Sequence, residues 1–158
     1  MPSVAERTRA EVQVRSRRFG SFDVPHDRVL EFPHGLIGFP TARRFVIVDH
    51  RPGSPFRWML AVDDPDVAFA VADPSDLIAD YAPPVALVAR LLGIPADDVG
   101  LFVIVTIPTD PTTMTVNLMA PIAVDMPRRR ARQLVLDDAR WQAAERVFAP
   151  PAAARPES

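Results

Sequence analysis

Eighteen prolines in 158 residues are the strongest constraint this chain places on its own fold. Each proline lacks a backbone N–H, fixes φ, and breaks a helix interior or the middle of a sheet ladder. Few windows are left for a long helix, so a large helical bundle is excluded. Prolines do fit at strand ends, edges and turns, which favours a chain of many short strands. The length suits one domain that buries roughly two thirds of its unfolded surface. With 48% hydrophobic and 24% charged residues, such a core needs no disulfide or metal to hold it.

Period-two alternation, the mark of half-buried strands, recurs along most of the sequence. Val12 and Val14 alternate with Gln13 and Arg15, and Gly20 between Phe19 and Phe22 predicts a bulge or tight turn. From Phe56 the even positions Phe56, Trp58, Leu60 and Val62 are apolar, with Arg57 and Asp63 on the other face. The turn chemistry of Asp63-Asp64-Pro65-Asp66 predicts a hairpin into Val67, Phe69 and Val71, backed by a face of Ala68, Ala70 and Ala72 on which another element can pack closely. Val99 to Ile107 and Phe45 to Val48 are apolar on both faces, as central strands are. Every even position from Met114 to Met126 is apolar, predicting one sharply bent strand or two sharing a face, with the bend at Pro121. Val29 to Phe32 and Gln133 to Leu136 complete the strands. Only Pro84 to Leu92, stopped by Gly93, and Ala139 to Phe148, capped by Asp137 or Asp138, read as helices. The fold class expected is mainly β: a compact antiparallel barrel-like domain over residues 11–149 with one or two short helices, and flexible tails at 1–10 and 150–158.

Known chemistries are poorly represented. A net charge of −2 is not the footprint of a nucleic-acid binder, and zero cysteines remove disulfides and thiol chemistry. The first residues show no signal-peptide core, and the most apolar run is about half a membrane helix in length, so a soluble cytoplasmic protein is expected. His26, His34 and His50 stand beside turn signals without zinc-helix spacing. Asp63, Asp64, Asp66, Asp73 and Asp76 lack the pattern of a calcium loop and read as turn residues. No phosphate loop, nucleophile elbow or dinucleotide fingerprint is present, so no catalytic, cofactor or metal residues are assigned. All 18 basic residues are arginine, a bias that GC-rich codons explain. The densest cluster, Arg128, Arg129, Arg130 and Arg132, reads first as a solvated turn after Pro127 and a charged edge, and second as a surface for an acidic partner. An RNA-binding barrel using these arginines would show steep salt dependence.

Two features stand apart. In Phe32-Pro33-His34-Gly35-Leu36-Ile37-Gly38-Phe39-Pro40, prolines and glycines forbid a regular element, while Leu36, Ile37 and Phe39 are too apolar for a plain surface loop. The loop either plugs one end of the barrel or displays an apolar surface to a partner. Asn117, unfavourable in a strand, is expected to serve backbone groups in a bulge or to face a protein partner.

Taken together, Phe32 with Gly35-Leu36-Ile37-Gly38-Phe39, Arg44-Phe45, Pro55-Phe56, Ala68-Phe69 with Asp73-Pro74, Val116-Asn117-Leu118 with Ala120-Pro121-Ile122, and Gln133-Leu134-Val135-Leu136 resemble the flagellar assembly factor FliW family over about Phe19 to Phe148. Met59-Leu60-Ala61 departs from the polar segment expected after Pro-Phe. The resemblance implies a non-enzymatic cytoplasmic protein, monomeric when free, that binds flagellin and the translational repressor CsrA. It implies partner switching, in which export of flagellin frees the protein to bind CsrA and relieve repression of flagellin translation. A sheet edge or the apolar loop with Leu36, Ile37 and Phe39 is the expected contact for flagellin. Asp63, Asp64 and Asp66 offer charge complementary to the basic RNA-binding surfaces of CsrA, and Asn117 is a further candidate contact. The competing reading is a small β-barrel that binds or transforms a small molecule, which requires a cleft with several perturbed acids or bases.

Overall fold

Val99–Thr106 is the hub of the sheet in the computed structural model, which describes residues 11–78, 85–136 and 142–147. Its apolar residues alternate between two buried sides, and it pairs with three other strands. Among the described residues the strands are β1 (Glu11–Ser16), β2 (Gly20–Pro25), β3 (Leu30–Glu31), β4 (Arg44–Asp49), β5 (Phe56–Ala61), β6 (Ala68–Ala72), β7 (Val99–Thr106), β8 (Thr115–Val116), β9 (Ile122–Asp125), β10 (Arg130–Gln133) and β11 (Glu145–Arg146). One helix, α1 (Val85–Leu92), precedes β7. β1 and β2 form a separate hairpin, and the rest follow the order β11-β8-β7-β6-β5-β4-β3-β10-β9, with β7 also pairing with β9. Strands β3, β4, β5, β6, β7, β9 and β10 therefore close into a ring. The mainly β, barrel-like architecture expected from the alternation is the one observed.

The interior of the ring holds Phe45, Met59, Ala61, Val71, Phe102, Ile122, Val124 and Ala131, joined by Phe32 and Leu36. Its outer wall is also covered, and this explains where the alternation misled. Trp58 and Leu60 of β5 and Val62 just beyond it point outward, under Val14 and Val24 of the hairpin, while Met59 and Ala61 of the opposite face fill the ring. The alanine face of β6 admits close packing as expected, with Ala68 meeting the hairpin and Ala70 and Ala72 meeting Leu118, Leu77 and Ile78. Helix α1 seals a third sector by setting Val88 against Ala123 and Leu134. It ends where expected. Gly93 takes φ +72° while its N–H reaches Arg90 and that of Ile94 reaches Ala89, a pair of bonds that terminates helices.

The run from Met114 to Met126 is two strands, β8 and β9, but they do not share a face. Met114, Val116 and Leu118 pack outside the ring, whereas Ile122 and Val124 pack inside it. The residues between redirect the chain before Pro121, so unbroken parity in sequence crosses from one core to another. Two other expectations are corrected. The arginine run is a turn over residues 126–129 as expected, but not a charged edge: Arg130 begins β10, which pairs with β9 on one side and, at one position, with β3 on the other. Residues 142–147 are not helical; Glu145 and Arg146 pair with Val116 and Thr115, and Val147 N–H donates to the Met114 carbonyl at 3.1 Å. The rest of that expected helix, Pro84, and both expected tails lie outside the described residues.

Candidate partner-binding surface

Loop 32–40 answers both halves of the question its composition raised. Phe32 is fully buried, with its ring edge-on to Phe45 at 5.1 Å, and Leu36 is only 3% exposed, so these two plug the end of the ring. Ile37 is 60% exposed and Phe39 41%. The plug and the display are adjacent residues of one loop. Leu36 and Phe39 exchange backbone hydrogen bonds at 3.1 and 2.8 Å, making Ile37-Gly38 the corner, with Gly38 at φ +86°. Gly35 has a stricter role. At φ +67°, a Cβ there would lie 2.5 Å from the Pro40 carbonyl oxygen, so the two arms of the loop approach as closely as only glycine permits.

The corner is tied to the neighbouring strands through one side chain. Gln133 accepts the Ile37 N–H at 3.0 Å and donates from Nε2 to the Ala120 carbonyl at 3.2 Å. Ala120 belongs to the turn that Asn117 organises, since Asn117 Oδ1 accepts the N–H groups of Met119 and Ala120 at 3.1 and 3.0 Å. Asn117 thus serves backbone groups as expected, but in a turn after β8 rather than in a bulge. Nothing local in the sequence marks Gln133 as the link between these segments. Three of the segments that carried the family resemblance meet at it.

On the other side of the corner, Phe39 stands edge-on to Phe69 at 5.3 Å and shares a shallow recess of about 200 Å³ with Asp63, Asp64 and Arg44. The structure therefore brings Phe39 and the acidic turn together. The acids are not equivalent. Arg44 grips Asp63 with two bonds, at 2.6 and 3.0 Å, and Arg17 bonds Asp66. The Arg17 hydrogen bond holds the Asp66 carboxyl below the usual carboxylate range. Asp64 accepts the Asp66 N–H at 3.1 Å and forms no ion pair among the described residues. Asp66 lies toward the β1–β2 hairpin, whose Arg17 N–H also reaches the Pro65 carbonyl. Of the residues singled out in the sequence, Phe39, Asp63 and Asp64 line one recess; Ile37 is exposed at the corner of the same loop and Leu36 is buried, Asp66 is bonded to Arg17, and Asn117 organises the turn that Gln133 ties to the corner.

Elsewhere the polar groups do turn work. His50 Nδ1 accepts the indole N–H of Trp58 at 3.1 Å, and Asp73 and Asp110 cap short turns at Ser75 and Thr112. Among the described residues no three histidines or acids gather as metal ligands, and no helix is long and apolar enough to cross a membrane. The hydrogen bonds to Asp66 and Asp63 push the guanidinium groups of Arg17 and Arg44 above their ordinary range, and the Thr112 hydroxyl and N–H hold the Asp110 carboxyl low.

Residues 13–147 match the family model described as "FliW protein". The chain belongs to the FliW family. Its relatives include the flagellar assembly factor FliW of Caldicellulosiruptor saccharolyticus, 38% identical over 130 residues that span 81% of this chain and 85% of the relative. The flagellar assembly factor FliW of Geobacter sulfurreducens is 36% identical over 134 residues, covering 82% of each. A crystal structure of the flagellar assembly factor FliW superposes with a TM-score of 0.78, at 24% identity, over 87% of this chain and 98% of the other. At that identity the superposition speaks for the fold, and the family assignment rests on the sequence matches. The FliW-like ring is thus the common frame, with the plug loop at one end of it.

Proposed function

We propose that this chain is a cytoplasmic flagellar assembly factor that works by partner switching. It binds flagellin while flagellin is abundant, and binds the translational repressor CsrA once flagellin is exported, relieving repression of flagellin translation. The observation that carries the site assignment is the pairing of a buried anchor, Leu36, with displayed Ile37 and Phe39 in a loop held by Gly35 and Gln133. Exposed aliphatic and aromatic side chains on a fixed backbone are what a partner can bury with little ordering cost. Asp64, and Asp63 behind its arginine, border the same surface and suit a basic partner such as CsrA. Switching requires that each partner weaken the binding of the other.

The test of the site is the double substitution Ile37→Ser with Phe39→Ser, which spares the buried Leu36. Titration calorimetry with purified flagellin should show at least a tenfold loss of affinity at unchanged melting temperature. An unaltered flagellin affinity in the folded variant removes the loop from the site. For the switch, immobilised protein loaded with CsrA should release it as flagellin is added. Retention of both partners together would rule out exclusive binding.

A further inference from the structure

The outer wall of the ring carries a second surface with chemistry opposite to the acidic turn. Helix α1 turns Val88 and Ala89 into the core but leaves Leu87 and Leu91, four residues apart and so on one face, 39% and 51% exposed. Leu91 overhangs a groove of about 440 Å³ between the C-terminal end of α1 and strand β10, with Ile94 and Pro33 also along its apolar side. The opposite side is cationic: Arg128, Arg130 and Arg132 line it. Arg128 is occupied by Asp125 and Asp98, at 3.1 and 3.7 Å. Arg130 and Arg132 are exposed and form no ion pair among the described residues. Asp125, the acid that lines the groove, is buried and already bound by Arg128. Two unneutralised guanidinium groups therefore face an apolar stripe, on a chain whose overall charge is −2.

We infer that this groove is a docking site for an acidic, amphipathic segment of a partner protein, which sets aliphatic side chains against Leu91 and Ile94 and carboxylates on Arg130 and Arg132. The charge balance selects the partner. Guanidinium forks without an internal acid gain most from planar carboxylates, and the stripe of α1 supplies the apolar half of helix-in-groove recognition. Nucleic acid fits less well, because the groove offers no Phe, Tyr or Trp for base stacking, only the imidazole of His34, and the protein carries no net positive field. Neither Ile37 nor Phe39 lines the groove, although Pro33 and His34 of the same loop do, and the inference extends beyond the partner-switch reading. It takes up the second reading of the arginine run, a surface for an acidic partner.

The experiment uses the full chain and three fluorescein-labelled probes: a 14-residue peptide with leucines spaced three and four apart and glutamates flanking them, the same peptide with glutamine for glutamate, and a 14-nucleotide single-stranded RNA. Anisotropy titration should give saturable binding of the acidic peptide that weakens at least tenfold between 50 and 300 mM salt, and at least tenfold weaker binding of the glutamine peptide. The double substitution Arg130→Glu with Arg132→Glu should cost at least tenfold, and Leu91→Ser several-fold. Both are surface changes whose folding is checked by melting temperature. Ile37→Ser with Phe39→Ser should leave peptide binding intact, which separates this site from the flagellin surface. Equal binding of both peptides, or indifference to the arginine substitutions, overturns the proposal. So does tighter binding of the RNA that the same substitutions abolish, or a wild-type dimer that they dissociate, which would give the groove to nucleic acid or to a second copy.

Discussion

Gly35 and Gly38 both adopt left-handed backbone in the plug loop, yet they are not interchangeable, and the difference can be measured. A methyl group at Gly38 meets nothing within 4 Å, whereas at Gly35 it strikes the Pro40 carbonyl. Gly38→Ala should cost about 1 kcal/mol, the strain of a side chain in that conformation. Gly35→Ala should cost roughly 2–4 kcal/mol, because backbone must move as well. Denaturant unfolding distinguishes them, and equal losses would show that the close approach is not a constraint. Asp66 gives a residue-scale expectation with a pH signature. Its carboxyl is held low by the hydrogen bond from Arg17 and then by that cation's charge. A depressed folded pKa contributes stability that is present above the unfolded value of about 4 and is lost as pH falls through the folded value. Arg17→Gln should therefore lower the urea midpoint at pH 6, with the gap to wild type closing by pH 2. Because both groups are exposed, the gap should be small and should shrink in salt. A gap that persists at pH 2 would place the role of Arg17 in packing rather than charge.

The elements around the plug are joined by Gln133, which bonds the loop corner on one side and the Asn117 turn on the other. Gln133→Ala leaves the part-buried Ala120 carbonyl without its donor and returns the exposed Ile37 N–H to water, so it should cost about 1 kcal/mol and speed hydrogen exchange at the Ile37 amide. If the geometry of the corner matters for recognition, flagellin affinity should fall although no displayed side chain has changed. Unchanged exchange at Ile37 would refute the tie. The strands that meet here were legible one at a time, because period-two alternation and turn residues are local signals. Which face of each strand looks into the ring was not. Trp58, Leu60 and Val62 are as apolar as Met59 and Ala61, since the hairpin covers the outside of β5 as thoroughly as the ring covers its inside. The same limit hid the exchange of cores between Leu118 and Ile122, and the pairing of Glu145 and Arg146 with β8, where helical spacing of apolar residues carried no information about a partner 30 residues away. The display of the candidate surface was legible where composition was abnormal, at exposed Ile37 and Phe39. It was illegible where a role depends on a distant partner, as for Gln133, or for Asp63 and Asp66 with their arginines.

At the scale of the molecule, the ring is unevenly closed. β4 pairs with β5, and β5 with β6, through five register positions each, and β9 pairs with both β7 and β10 through four. β3 meets β10 in parallel at the single position Arg130↔Glu31, supported by the Glu31 N–H bond to the Arg129 carbonyl at 2.9 Å. The residue before this seam is also strained: Arg129 has φ +56° without being glycine. Local opening follows the weakest contiguous hydrogen bonding, so the ring should part between β3 and β10 before it unfolds elsewhere. Native-state hydrogen exchange should find the Glu31 amide opening at a lower free energy and with less denaturant dependence than Met59 or Leu60 in β5. Equal protection at both places would mean that the ring opens only by global unfolding. The seam also lies between the two surfaces assigned here, since β3 leads directly into the plug loop and β10 carries Arg130 and Arg132. A partner that fixes the loop corner restrains both sides of the seam through Gln133. If flagellin is the partner, as proposed, its saturating binding should therefore slow exchange at Glu31 even though that residue lies outside the proposed contact. If protection on binding stops at residues 36–39, the two faces are mechanically independent.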